Sequence, residues 1–231
     1  MSDTSDINER IRTRRRWLPE EVPPESQRAA LYRLSSAIRR TIEAMMDTDA
    51  SPAQLDALAT EAEQLAEHLE AGPRGRALWG YAESSNSGDA DAGFDNSPVI
   101  GPANPIAAPL NLRVENDRVL GTAVFGQQYE GPPGHVHGGI VSAAFDELLG
   151  MAQSLSGTSG MTGQLVVNYR SPTPLFRELQ FVGKVDRVEG RKIYTSATLH
   201  DGDTLCAEAE GLFISVDFSR LRTIAEERQS R

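Results

Sequence analysis

Residues 129–153 read YEGPPGHVHGGIVSAAFDELLGMAQ, and the fold follows from how this stretch is interpreted. Its first part, through GPPG, is turn-rich. From near Gly138 it becomes the strongest helical signal in the C-terminal half of the chain. With Ile140 set at 0° and about 100° per residue, Ile140, Val141, Ala144, Phe145, Leu148, Met151 and Ala152 fall on one broad apolar face. The opposite stripe holds Ser142, Ala143, Asp146 and Gly150, with Glu147 at its edge. A solvent-facing stripe normally carries long charged side chains. This one carries small residues around a carboxylate, so it is expected to be covered by another backbone.

Outward from this helix the periodicity changes to two, the strand period. Before it, Leu110, Leu112 and Val114 alternate with polar residues, Asn116-Asp117 signals a turn, and 119–125 forms the return strand. After it come strand-like runs over 162–170, 178–188, 191–200 and 204–217. Their separators, SPTPLF, Glu189-Gly190 and Asp201-Gly202-Asp203, are short and predict antiparallel neighbours, because a parallel crossover needs a dozen residues or more. The order is a hairpin, one long helix, then a meander. That is an α+β fold with one helix lying on a largely antiparallel sheet.

Upstream, Leu31, Leu34, Ile38, Ile42 and Met45 form one apolar stripe. Ser51-Pro52-Ala53-Gln54 starts a second helix, with Ser as N-cap, Pro in the first turn and Gln at the capping-box position. Leu55, Leu58, Ala62, Leu65 and Leu69 continue it until Gly72-Pro73. Two amphipathic helices with a short connection predict a helical hairpin that docks on the main domain or pairs with another copy. The expected organisation is a basic arm over 1–24, the hairpin over 25–72, a linker over 73–97 that includes the acidic run ESSNSGDADAGFDNS, the main domain over 98–218 and a tail over 219–231.

Composition narrows the function. The 231 residues carry 23 Lys+Arg against 33 Asp+Glu, net −10. Residues 1–100 hold 11 basic and 18 acidic side chains, and residues 101–231 hold 12 and 15. Nucleic-acid binding relies on an excess of basic charge and is not expected here, although Arg10, Arg12, Arg14, Arg15 and Arg16 form a local cluster. No stretch approaches the roughly 20 apolar residues of a membrane span, and the N-terminus lacks the apolar core of a secretory signal. A single cysteine, Cys206, excludes an internal disulfide and fits a reducing, cytoplasmic setting. The four histidines form no zinc-ligand spacing. No phosphate loop or dinucleotide glycine pattern appears, so no cofactor is expected. The segment 156–160, SGTSG, ends one residue short of G-x-S-x-G and follows a helix rather than a strand, which argues against a serine hydrolase.

The helix carries the candidate chemistry. Asp146 is either an exposed helical acid or a carboxylate in a partly desolvated crevice, able to act as base or nucleophile. Gly138 and Gly139 open the helix, where unpaired N–H groups and the positive dipole end suit a developing oxyanion. Gly138 and Asp146 lie about 12 Å apart along the axis at ~1.5 Å per residue. They cannot act on one bond within a protomer. Joint action requires two antiparallel copies of the helix in a two-fold dimer, with a composite site at each end.

The pattern GPPGHVHGG, Asp146 nine residues after His137, MTGQLVVNYRSPTPL and DRVEGRK resembles the hotdog-fold acyl-CoA thioesterases. Within them it resembles the branch of phenylacetyl-CoA thioesterase-like proteins and human thioesterase superfamily members. The resemblance covers about 98–218. It implies a hotdog fold, with the long helix wrapped by the sheet and active sites at the interface of a homodimer or dimer of dimers. It implies acyl-CoA as substrate, Asp146 as general base or nucleophile, the Gly138 N–H on the thioester carbonyl, and Thr162 as the hydroxyl that orients water or the carboxylate. Gly139 would adjoin the substrate, and His137 would shape the start of the helix. Some relatives carry an Asn six residues before this histidine; here Gly131 occupies that position, so oxyanion support would rest on backbone groups. Arg170, Arg191 and Lys192 are candidates for the phosphates of coenzyme A, with solvated surface charge as the equal alternative. A second functional class also stays open: a non-catalytic acyl-CoA-binding sensor.

Overall fold

The computed structural model describes residues 26–73, 95–108, 110–158 and 160–216. The basic arm, most of the linker and the C-terminal tail expected from the sequence lie outside the described residues. Helix α1 spans Gln27–Met45 and α2 spans Pro52–Ala71. They are followed by β1 (Asn111–Glu115), β2 (Arg118–Val124), a 3₁₀ turn (Gln127–Tyr129) and α3 (Gly138–Ser154). Strands β3 (Gly160–Tyr169), β4 (Glu178–Glu189), β5 (Lys192–Asp201) and β6 (Thr204–Ser215) complete the domain. This is the α+β class expected, with a single antiparallel sheet packed on one helix.

The sheet order is β1-β2-β4-β5-β6-β3, and every neighbouring pair is antiparallel. The β4–β5 and β5–β6 hairpins match their short separators. The separator SPTPLF does not behave as a hairpin loop: β3 pairs with β6 at the sheet edge, and β4 pairs with β2. Strands β3 and β4 are thus three strand spacings apart, about 14 Å at ~4.8 Å each. The separator covers this span by crossing the end of the sheet, where the loop before α3 gives it backbone partners. The Val136 N–H donates to the Thr173 carbonyl at 2.8 Å, and the Leu175 N–H donates to that of Gly134 at 3.1 Å. A short separator is therefore compatible with non-neighbouring strands when a second loop satisfies its backbone.

Helix α3 buries Val141, Ala144, Phe145, Leu148, Leu149, Ala152 and Gln153. The buried arc is rotated relative to the sequence expectation: Ile140 and Met151 are only half-buried, whereas Leu149 and Gln153 are inside. The sheet answers with Leu179, Phe181, Ile193, Leu199, Ala207 and Phe213. Phe145 meets Phe181 edge-on at 5.8 Å. Gly183 and Gly211 lie beneath the helix. A Cβ at Gly183 would come within 3.1 Å of Leu148, and one at Gly211 within 3.1 Å of Leu149. These glycines let sheet and helix approach closely.

Helix α1 is capped by Ser26, whose Oγ accepts from the Ala29 N–H at 3.1 Å. It is tied to the domain by Arg28, which grips both carboxylate oxygens of Asp95 at 2.6 and 2.8 Å, and by Tyr32, whose hydroxyl donates to Asp95. Asp95 is 1% exposed. The end of the acidic run is thus buried against α1, because a guanidinium and a phenol compensate its desolvation. Burial opposes the Arg28 charge, yet the Asp95 carboxylate holds its pKa above the ordinary arginine value. Helix α2 begins as expected, with the Ser51 N–H and hydroxyl both donating to Gln54 Oε1 at 2.9 and 2.7 Å. No α2 residue is buried.

Candidate active site

The approach to α3 is built by the GPPG loop. Gly134 adopts φ +74°, the left-handed region glycine favours. Its N–H donates to Glu130 Oε1 at 2.6 Å, and the Gly131 N–H donates to the His135 carbonyl at 2.9 Å. The loop delivers His137 to the N-cap position. Its backbone N–H donates to the Tyr129 carbonyl at 2.8 Å, and its Nδ1 accepts from the Gly139 N–H at 3.0 Å. His137 therefore shapes the helix start with its ring, rather than through the backbone bond alone. A Cβ at Gly131 would lie 2.7 Å from the His137 Cα. A side chain there would displace the histidine, which is the physical reason this loop leaves no room for an Asn. His135 turns away, with Nδ1 2.9 Å from the Pro133 carbonyl.

The two opening glycines are not equivalent. The Gly139 amide is occupied by the N-cap imidazole. Among the described residues the Gly138 N–H has no hydrogen-bond partner, as expected for an orphan donor of the first turn. Its carbonyl is fixed by Tyr169, whose hydroxyl donates to it at 2.7 Å. That phenol carries one proton, so Ser142 Oγ, 2.7 Å away, donates to the Tyr169 oxygen. A Cβ at Gly138 would come within 3.2 Å of the same hydroxyl.

At the other end of the stripe, Thr162 Oγ1 donates to Asp146 Oδ1 at 2.8 Å. Asp146 is half-buried, while Thr162 lies on the exposed edge strand. Gly150 has nothing within 4 Å of where a Cβ would stand. The stripe is thus open at Gly150 in the protomer, while β3 meets it at Ser142 and Asp146 through Tyr169 and Thr162. Glu147, at its border, is drawn to the opposite side, where Oε1 accepts from the Ser97 hydroxyl at 2.6 Å.

The sequence expectation grouped Asp146 with Thr162, and the two are in contact. It grouped Gly138 with Gly139, which are adjacent but differently engaged. The three basic candidates are split. Arg170 follows Tyr169 at the Gly138 end and is paired with Glu208. Arg191 lies in the β4–β5 turn and Lys192 opens β5. Lys192 is paired in register with Ile214 and, through it, with Met161, at the Asp146 end. Arg191 donates to the Ser215 carbonyl at 3.0 and 3.1 Å. Tyr169 was not singled out from the sequence as a site residue. Its signal was present in the NYR of MTGQLVVNYRSPTPL, but nothing local in the sequence places a strand tyrosine against a helix carbonyl. Among the described residues no group of three or more His, Cys, Asp or Glu could hold a metal ion, and no helix is long and apolar enough to cross a membrane. Cys206 is buried, and burial raises its thiol pKa.

Comparison with known proteins bears on this geometry. A family model described as the thioesterase superfamily matches residues 133–208. The crystal structure of a thioesterase superfamily protein superposes with TM-score 0.73 at 37% identity, covering 84% of this chain and 97% of that one. The acyl-coenzyme A thioesterase THEM4 of Xenopus laevis is 38% identical over 93 residues, 39% of this chain and 42% of the relative. The bovine (Bos taurus) protein of the same name is 37% identical over 94 residues, 40% of this chain and 38% of the relative. The chain thus matches less than half the length of these curated relatives.

Proposed function

The chain belongs to the thioesterase superfamily, and from that premise we propose that it hydrolyses acyl-CoA thioesters to a free acid and coenzyme A. The observation that carries this reading is the Asp146 carboxylate, held at 2.8 Å by Thr162 on a stripe of small residues open at Gly150. One oxygen accepts from the threonine, which leaves the other free to take a proton from water or to attack a carbonyl. The names of the THEM4 relatives support the substrate class.

The second requirement is a donor for the developing oxyanion. The unpartnered Gly138 N–H at the positive end of α3 meets it. Because this group lies about 12 Å along the axis from Asp146, the reaction is assigned to a homodimer, alone or paired into a dimer of dimers. In it, two α3 helices run antiparallel across this stripe, and each site takes Asp146 from one protomer and Gly138 from its twin. The same pairing would bring Arg170 of one copy toward Arg191 and Lys192 of the other, where coenzyme A phosphates would find a shared basic rim. Once formed, the tetrahedral intermediate collapses with loss of the CoA thiolate, and the proton held by Asp146 returns to sulfur. If Asp146 attacks directly, an acyl-enzyme anhydride forms and water releases the acid. Either route yields the same products.

Asp146→Asn keeps the shape and removes the charge. The expected result is a fall in kcat of about a hundredfold or more, with the Kd for a non-hydrolysable CoA thioether changed little. An unchanged kcat takes Asp146 out of the chemistry. A wild-type protein that binds acyl-CoA tightly without releasing CoA is a sensor rather than an enzyme.

A further inference from the structure

Every residue of α2 is exposed, yet the helix carries an apolar row. Leu55, Leu58, Leu65 and Leu69 stand between 42% and 54% exposed, and Ala62 completes the row. Helices in proteins draw most of their stability from packing such a face, and this one is left uncovered in the protomer. Its spacing is 3, 4, 3 and 4, a strict 3.5-residue repeat. That narrow seam fits one facing helix rather than the broad surface of a globular core.

With Leu55 as position a of the heptad, Ala62 and Leu69 are also a, and Leu58 and Leu65 are d. Asp56, Glu63 and Glu70 fall at b and Glu67 at f, away from the seam. Beside the seam lie Ala59 and Ala66 at e, and Gln54, Glu61 and His68 at g. A basic partner helix would therefore meet only one acid next to the seam. A second copy of the same helix is a better match. Antiparallel pairing faces g with g and e with e, so Glu61 comes opposite His68 and Ala59 opposite Ala66.

We infer that α2 pairs antiparallel with α2 of a second copy, in the register that sets Leu58 against the partner's Leu69. The seam then fills in four layers, Leu58–Leu69 and Ala62–Leu65 with their two-fold copies, so each small residue meets a large one. Glu61 faces His68 twice, and an imidazole N–H donates to a carboxylate whether or not the ring is charged. The alternatives are poorer. A slip of one heptad in one direction sets Glu61 against Glu61, like charges beside a desolvated seam. A slip in the other leaves only the Leu65–Leu69 layers. A parallel pair sets Ala62 against Ala62, which underfills the central layer, and turns Glu61 toward Ala66. Four layers are short for an independent dimer. The contact therefore adds to the assembly proposed above and rests on it: once the copies are held together, α2 pairing needs little affinity of its own.

The test is disulfide trapping in the full chain with oxidised glutathione, read on a non-reducing gel beside the mass from light scattering. Cys206 is buried and adds no background. Leu58→Cys and Leu69→Cys should each stay uncrosslinked, because antiparallel pairing keeps identical positions apart. The double variant should run mostly as a covalent dimer. The two cysteines of one chain are about 16 Å apart along the helix and cannot bridge each other. Adding Ala62→Glu to the double variant places a charge in the seam and should abolish the crosslink; as position 62 is exposed, the fold should be unchanged by circular dichroism. Crosslinking of either single variant, or a crosslink that survives Ala62→Glu, overturns the proposal. An assembled protein whose double variant fails to crosslink overturns the α2 pairing and leaves assembly through α3 standing. A monomer without the crosslink overturns both, and a crosslinked double variant of a monomeric wild type overturns only the assembly through α3.

Discussion

Thr162 and Tyr169 present their hydroxyls to the same helix from the same strand. Thr162 fixes the Asp146 carboxylate at 2.8 Å, and Tyr169 fixes the Gly138 carbonyl at 2.7 Å. One strand thus holds both ends of the stripe on which the proposed chemistry rests.

The Thr162 bond is expected to matter to rate more than to folding, because both partners remain partly solvated. Thr162→Val should lower kcat by about tenfold, while Thr162→Ser restores most of it by supplying the same donor. Steady-state kinetics on the two variants check this. Equal activity of the Val and Ser variants would remove the hydroxyl from any role.

Tyr169→Phe leaves the ring in place and frees the Gly138 carbonyl. The first turn of α3 then loses a constraint, and the Gly138 N–H is aimed less well. The expected outcome is a kcat loss of about tenfold with KM changed by less. A variant that changes only KM would place Tyr169 in substrate binding instead.

Gly150 discriminates the assembly. In the protomer its Cβ position is open, so Gly150→Arg should fold normally. If the stripe is covered by a second copy, the arginine blocks it, and light scattering should show a monomer with little activity. A Gly150→Arg protein of wild-type mass and rate would rule out pairing through this stripe.

Asp95 is the keystone of the α1 attachment. Asp95→Asn removes a buried charge partner from a partly exposed arginine and should cost about 2 kcal/mol in denaturant unfolding.

Burial, the largest cause, raises the Tyr129 hydroxyl above the ordinary tyrosine range, and Tyr32 behaves alike, with the Asp95 carboxylate adding to the effect. A folded-state pKa above the unfolded value gives stability that is fully present below about pH 10 and is lost as pH rises through the folded value. Stability measured against pH should therefore fall in the alkaline range. Tyr129→Phe should flatten part of that fall.

Most of the helices and strands are legible in the local pattern of the chain. The helix over 138–154 and the strand periods follow from local patterns, because hydrophobic periodicity and turn chemistry act within a few residues, whereas the place of Thr162 beside Asp146 was implied only by the family resemblance. The tertiary structure decided the rest. Positions 162 and 169 differ by an odd number and would lie on opposite faces of a regular strand. A bulge brings them to one face: pairing with β6 passes from Thr162–Phe213 to Gln164–Leu212 and leaves Gly163 as the extra residue. Likewise the edge placement of β3, the burial of Asp95 and the bonds from Arg39 to the Asn104 and Ala107 carbonyls depend on partners distant in the chain. Such contacts form only where the whole sheet closes on the helix, and no local pattern encodes them.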